Sequence, residues 1–293
     1  MARNRESFNP FDRRGSLTEP VGFDELPQEI QGVLGSRTAE LANLIGKRTA
    51  EMHLILLNSD QKDFSPEEYS LHYQRSLFST MQSLVRESFD NLTKVYHTLP
   101  EDVKRDANTI RDKKQLLLDK LREIYANKID IVKTRTHGTY TLKKLLLTGR
   151  DIVIQDFGGK TFRSFSTRRI KRSPIRDLAE MITSFHYTAY EAFFNNDHIA
   201  RNELNAMLAF AEMWSHYMSG FFIKSYLEIA GDSPLIPKDK KHLEIVLNTF
   251  LLEKSLTHFN KELNERTQWS IVPLRIIKSV LGIKDELPEQ VYE

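Results

Sequence analysis

The sequence predicts a mainly α-helical fold with one small β-hairpin, and three observations carry that reading. From Pro27 onward, apolar residues recur at helical spacing over most of the chain. Glycine is scarce, at 12 of 293 residues, which disfavours a loop-rich all-β fold. A single stretch breaks the helical period, where Leu145-Leu146-Leu147 and Ile152-Val153-Ile154 flank Thr148-Gly149-Arg150-Asp151, the pattern of a tight hairpin.

Residues 1–25 are polar and broken by Pro10, Gly15, Pro20 and Gly22, and are expected to form a flexible tail. Leu41, Ile45, Thr49, Met52 and Leu56 then trace a first helical stripe. Ser65-Pro66-Glu67-Glu68 has the composition of a helix start, with a capping serine, a first-turn proline and two acids near the positive end of the dipole. The stripe after it runs from Tyr69 through Tyr73, Leu77, Met81, Val85 and Leu92 to Tyr96, and Pro100 stops it. A third long helix is expected over roughly 101–130, with Leu117, Leu121, Ile124 and Tyr125 turned inward. Ser173-Pro174 opens a helix whose buried stripe is Leu178, Met181, Ile182, Phe185, Ala189 and Phe193. Helices over roughly 198–230, ending at Gly231 as its left-handed cap, 237–263 and 273–281 complete the chain. We read one helical domain over 26–285, with short tails at 1–25 and 286–293.

Composition excludes several classes of function. There are no cysteines, so disulfides, thiolate zinc sites and a cysteine nucleophile are absent. The charge balance of 42 basic against 40 acidic residues argues against nucleic acid as a partner. No apolar run reaches the ~18 residues of a membrane span, and the opening has no signal-peptide core, so no membrane partner and a cytoplasmic location are expected. No zinc-protease, nucleophile-elbow or glycine-rich phosphate-loop motif occurs. His186 reads as a packed or pocket-lining residue rather than a ligand, and Met207, Phe210, Met213, Trp214 and Met218 read as core. Lys160, Arg163, Arg168, Arg169, Lys171, Arg172 and Arg176 form a run without acids, either a salt-bridged segment or a surface for an anionic ligand or partner.

The chemistry-bearing stretch is 137–159. His137-Gly138-Thr139-Tyr140-Thr141-Leu142-Lys143-Lys144 precedes the hairpin, and Asp156-Phe157-Gly158-Gly159 follows it. A loop, a hairpin and then an aspartate is the order of a phosphotransferase C-lobe, where the loop supplies a base and the aspartate a metal ligand. Thr148-Gly149-Arg150-Asp151-Ile152-Val153-Ile154-Gln155-Asp156-Phe157, Arg168-Arg169-Ile170-Lys171-Arg172-Ser173-Pro174-Ile175-Arg176-Asp177-Leu178-Ala179 and Ser184-Phe185-His186-Tyr187 continue the pattern, as do Arg48 to His53 and Leu251 to Lys254. These segments resemble the maltokinase family, aminoglycoside-phosphotransferase-like kinases often fused to trehalose synthase, over roughly residues 25–280.

The resemblance implies a protein-kinase-like, aminoglycoside-phosphotransferase-like C-lobe, Mg²⁺ and ATP as cofactors, and conversion of maltose to maltose 1-phosphate. It places Asp156 at a metal-ligand position and gives Asp177 the ordering of the loop through hydrogen bonds. It also places Thr139 where the family has its catalytic Asp, Thr141 at the following His, and Lys143-Lys144 at a Gly-Gln pair. Gly158 and Lys160 stand where the family has glutamates. Threonine accepts no proton near neutral pH, and losing a general base costs ~10²–10⁴ in rate. Lys144 would bring an ammonium to the place of an amide metal ligand. The β-rich N-lobe of the resembled kinases is expected before residue 25, where this sequence has only the polar tail. These departures predict a non-catalytic, maltose- or partner-binding relative, the partner being trehalose synthase or an N-lobe polypeptide. The alternatives are an active kinase completed in trans and a decayed fragment.

Overall fold

The computed structural model describes residues 13–59, 61–157, 164, 169–194 and 201–284, with backbone alone for 201–206. Its helices are α1 Gln28–Leu34, α2 Ser36–Leu57, α3 Leu71–Val95, α4 Glu101–Asp112, α5 Lys114–Arg122, α6 Ile175–Phe194, α7 Arg201–Ala230, α8 Lys240–Glu265 and α9 Ile271–Val280. Its strands are β1 Glu67–Glu68, β2 Val132–Lys133, β3 Leu145–Thr148 and β4 Asp151–Ile154. None of the described helices is long and apolar enough to cross a membrane.

The chain divides into two units, the first made of Met1–Met52, Leu142–Gln155 and Ser184–Gly231, the second of His53–Thr141, Asp156–Thr183 and Asp232–Glu293. In the first unit, α7 is buried on nearly every side, with Leu208, Met213, Tyr217, Phe221, Phe222 and Tyr226 at 1% exposure or less, as a helix inside a core must be. Phe185 meets Trp214 and Phe222 edge-on, with ring centroids 6.2 and 5.9 Å apart. Gly46 lets α2 approach α7, since a Cβ there would lie 2.2 Å from the Phe222 carbonyl oxygen. The hairpin pairs Leu145 with Ile154 and Thr148 with Asp151. Gly149 turns it at φ +75°, a conformation that costs glycine nothing. Arg48 grips Asp151 with both prongs at 2.8 and 2.7 Å, and the Leu142 amide donates to Ser184 Oγ at 3.0 Å.

The second unit is built around α8, against which α3, α5 and α9 pack, and α4 packs on α9. Gln74 is fully buried and ties α3 to the chain after α5. It donates to the carbonyls of Ile124 and Asn127 and accepts from the Ile129 amide. Lys278 of α9 donates to Asp106 of α4 at 3.0 Å, both groups being buried.

Several sequence expectations need correction. Ser65 does not start a helix. Glu67 and Glu68 form β1, paired antiparallel with Lys133 and Val132, so a second two-stranded sheet accompanies the hairpin. Lys133 and Lys128 neutralise the two acids at 3.0 and 2.6 Å. Helix α3 begins at Leu71, with Ser70 Oγ accepting from the Tyr73 amide. The helix expected over 101–130 is interrupted at Lys113, with φ −100° and ψ 18°, and ends at Arg122. Leu41 is 37% exposed, because α2 turns Ala42, Ile45, Thr49 and Ala50 inward instead. Gly231 lies outside the left-handed region. It is glycine for closeness, since a Cβ would stand 2.5 Å from the Leu227 carbonyl oxygen. The polar segment 13–25 is not loose. It runs along α7, with the Arg14 amide donating to the Tyr217 hydroxyl and Lys224 pairing with Glu25. The rest of the expected tail, residues 1–12, lies outside the described residues.

Candidate functional site

The loop 135–141 is organised by a carboxylate. Asp177 stands in the first turn of α6, where the helix dipole favours negative charge, and it is 1% exposed. Its Oδ2 accepts from the His137 amide at 2.7 Å and its Oδ1 from the Gly138 amide at 3.0 Å. His53 Nε2 lies 3.4 Å from Oδ2. Burial works against the charge of Asp177, but the His53 hydrogen bond and charge and the Gly138 amide outweigh it and hold the carboxyl below its ordinary range. Gly138 has φ +84°, which a side chain would strain. The backbone amide of Thr139 then folds back toward His137 Nδ1 at 3.4 Å.

His137 is a buried hub. Its ring lies 5.2 Å from Tyr140 and 4.9 Å from Phe157, centroid to centroid. Phe157 follows Asp156, whose φ of +63° is the only left-handed value at a non-glycine among the described residues. Backbone in this region is costly for an L-residue, though least so for Asp and Asn, and it persists where the surroundings enforce it. Asp156 itself is exposed.

A second polar layer flanks Asp177 on α6, from Arg176 just before it to Glu180 about one turn further on. Arg176 forks onto Glu253 of α8 at 2.8 and 2.7 Å. Glu180 pairs with Lys254 and lies 3.5 Å from His258. Burial would raise the Glu180 carboxyl, but Lys254 and His258 together pull it far below the carboxylate range. These pairs fix the start of α6, and hence Asp177, against α8.

The structure thus brings together His137, Gly138, Phe157 and Asp177, with Thr139 half-buried beside them. Thr139, Thr141 and Asp156 belong to the second unit and Lys144 to the first, where its carbonyl accepts from the Gln155 amide at 3.0 Å. Gly158, Lys160, Arg163 and Arg168 lie outside the described residues. Arg169 is ion-paired with Asp63, and Lys171 lies 3.4 Å from Glu67. The backbone of Arg172 exchanges two hydrogen bonds of 2.9 Å with Thr134.

The described residues do not by themselves make a site for a divalent cation. Among those described, no group of three or more His, Asp or Glu side chains converges on a point. Asp156 is one exposed carboxylate, whereas magnesium needs a near-octahedral set of oxygens.

Solved structures share this architecture. A glucosamine kinase in one crystal form superimposes with a TM-score of 0.66 and 14% identity, over 89% of this chain and 57% of that one. A glucosamine kinase in complex with glucosamine, ADP and inorganic phosphate gives 0.64 and 14%, over 89% and 59%. The fold is that of the C-terminal part of a kinase-like sugar kinase. This chain spans less than two thirds of the length of either. No family model matches the sequence.

Sequence reasoning did not single out His53, Glu180, Glu253 or Lys254 as parts of this frame. The available sign was charge in apolar surroundings, as in Phe250-Leu251-Leu252-Glu253-Lys254, because buried charges require partners. Which partners they take depends on how α2, α6 and α8 pack.

Proposed function

We propose that this chain is a maltokinase-like protein that acts by binding rather than by phosphoryl transfer. The observation that carries this is the loop 137–139, whose backbone is held in place by Asp177, and the sequence resemblance puts Thr139 at its base position. The frame is intact and the proton acceptor is missing. A threonine hydroxyl does not take a proton from a sugar hydroxyl near neutral pH, whereas a positioned carboxylate does. Asp156, with its φ of +63°, contributes one carboxylate, and no metal-holding group of three or more His, Asp or Glu occurs among the described residues. Maltose is the sugar that the sequence resemblance favours, and the glucosamine bound by the superimposable kinase supports a sugar as the ligand class. Trehalose synthase or an N-lobe polypeptide is the expected partner. A second reading, an active kinase, is favoured by the fold shared with the glucosamine kinase.

The test is phosphoryl transfer. The purified chain is mixed with Mg-ATP and either maltose or glucosamine, and ³¹P NMR follows the products. We expect no sugar phosphate, with maltose binding detected by calorimetry. Sugar phosphate that disappears in Asp156→Ala would overturn the proposal and establish an active centre that uses Asp156.

A further inference from the structure

The hairpin of the first unit carries a sheet edge that the proposed function does not use. β3 and β4 form a sheet of two strands, and no third strand joins it among the described residues. The Gln155 amide donates to the Lys144 carbonyl, so position 144 points its backbone groups at β4. These groups alternate along an antiparallel strand, so positions 146 and 148 point at β4 as well. The amides and carbonyls of Leu145 and Leu147 therefore face outward, along the free edge of β3.

Proteins blunt such edges with charge, proline or a bulge. β3 has none of these. It reads Leu145-Leu146-Leu147-Thr148 and pairs with β4 residue for residue. It is also the wetter strand. Leu146 and Leu147 are 53% and 52% exposed, whereas Ile152 of β4 is buried. Val153, the cross-strand partner of Leu146, is 50% exposed. Leu146 and Val153 share one face of the hairpin, and Leu147 lies on the other. A strand added beside β3 would cover leucines on both faces and pair the outward-facing amides.

Charge selects the occupant. Lys143 precedes β3, and Arg150 lies in the turn beyond its end. Both are exposed, and neither is in an ion pair among the described residues. Asp151, the acid of the hairpin, is already taken by both prongs of Arg48. A strand seated on β3 thus meets a cation at each end. A second copy of this chain fits poorly. In full antiparallel overlap of two β3 strands, Lys143 of each copy would face Arg150 of the other, and like charges directly opposite repel. We propose that the outer edge of β3 is a docking site for an extended segment of a partner protein, apolar at alternate positions and acidic at both ends. The site lies within the first unit and involves none of Thr139, Asp156 or Asp177, so its test and the phosphoryl-transfer test fail independently.

The probe is the fluorescein-labelled peptide Glu-Glu-Val-Thr-Val-Thr-Val-Glu-Glu, titrated with the full chain and followed by anisotropy. One control peptide has lysine in place of every glutamate. The other keeps the glutamates and is N-methylated at each valine and threonine, so it has the charge but cannot donate to a sheet edge. We expect saturable binding of the probe alone, with slowed hydrogen exchange over residues 143–150. The double variant Lys143→Glu/Arg150→Glu should weaken binding about tenfold, or about 1.4 kcal/mol. Both residues are exposed, so an unchanged Tm is expected and shows that the variant folds. No saturable binding, equal binding of either control peptide, or an affinity unchanged in the folded variant would overturn the proposal. So would a chain that sediments as a dimer and becomes a monomer when Leu147→Lys blunts the edge, which would assign the edge to a second copy.

Discussion

Replacing Asp177 removes the acceptor on which the loop 137–139 rests. In Asp177→Ala, the amides of His137 and Gly138 lose acceptors at 2.7 and 3.0 Å, and His53 loses its carboxylate neighbour. Hydrogen bonds to a charged group are worth ~1.5–3 kcal/mol each, and stranding a buried partner adds to the loss, so we expect about 4 kcal/mol of destabilisation. At roughly 2–4 °C per kcal/mol for a chain of this size, Tm should fall by about 10 °C. Asp177→Asn keeps the shape and one acceptor but turns an N–H₂ toward the second amide, so about half that loss is expected. Thermal unfolding followed by circular dichroism measures the magnitude, and hydrogen exchange of peptides covering 135–141 localises it. The Asp177 carboxyl is held below its ordinary range, so its stabilisation is complete above about pH 4 and is lost as pH falls through the lowered value. The gap between wild type and Asp177→Asn should therefore close in acid. Unchanged exchange of the loop amides, or a Tm loss below about 3 °C in Asp177→Ala, would refute this account of the loop.

Three further outcomes follow from the first unit. Asp151→Asn should speed exchange of the hairpin amides, because it breaks the Arg48 fork. The Arg48 hydrogen bond and the Ile152 amide hold the Asp151 carboxyl at about 2, so in the wild type that protection should persist above the ordinary carboxylate range and fade as pH falls toward 2. Gly46→Ala should destabilise by about 2–3 kcal/mol despite alanine's better helix propensity, because its Cβ would press into the Phe222 carbonyl. Gly32→Ala, with nothing within 4 Å of its Cβ, should instead stabilise by about 0.5–1 kcal/mol, and denaturant melts of the pair read both signs.

The sequence by itself determined the helical class, the hairpin and the stripe of α6. Those features are local. Apolar spacing decides which helix face is wet, and Gly149 supplies the positive φ that its turn demands. The resemblance read from the sequence also singled out the loop at His137, Asp156 and Asp177, and the structure joins two of them, with Asp177 accepting from the His137 amide. Tertiary structure decided the rest. Whether Glu67 and Glu68 open a helix or a strand depends on Lys133, 66 residues away, because two residues carry too little propensity to choose. The inward face of α2 was set by the approach at Gly46, not by its bulkiest residues, so Leu41 faces out and Ala42 faces in. The partners of Asp177, Glu180 and Arg176 lie on α2, on the loop at 137–138 and on α8, far away in sequence, and a charge reveals its need for a partner but not its address. The same holds for Glu212. Its surroundings come from α6 and from a segment near residue 13 that composition alone marks as a tail. Burial turns these scattered side chains into one cluster.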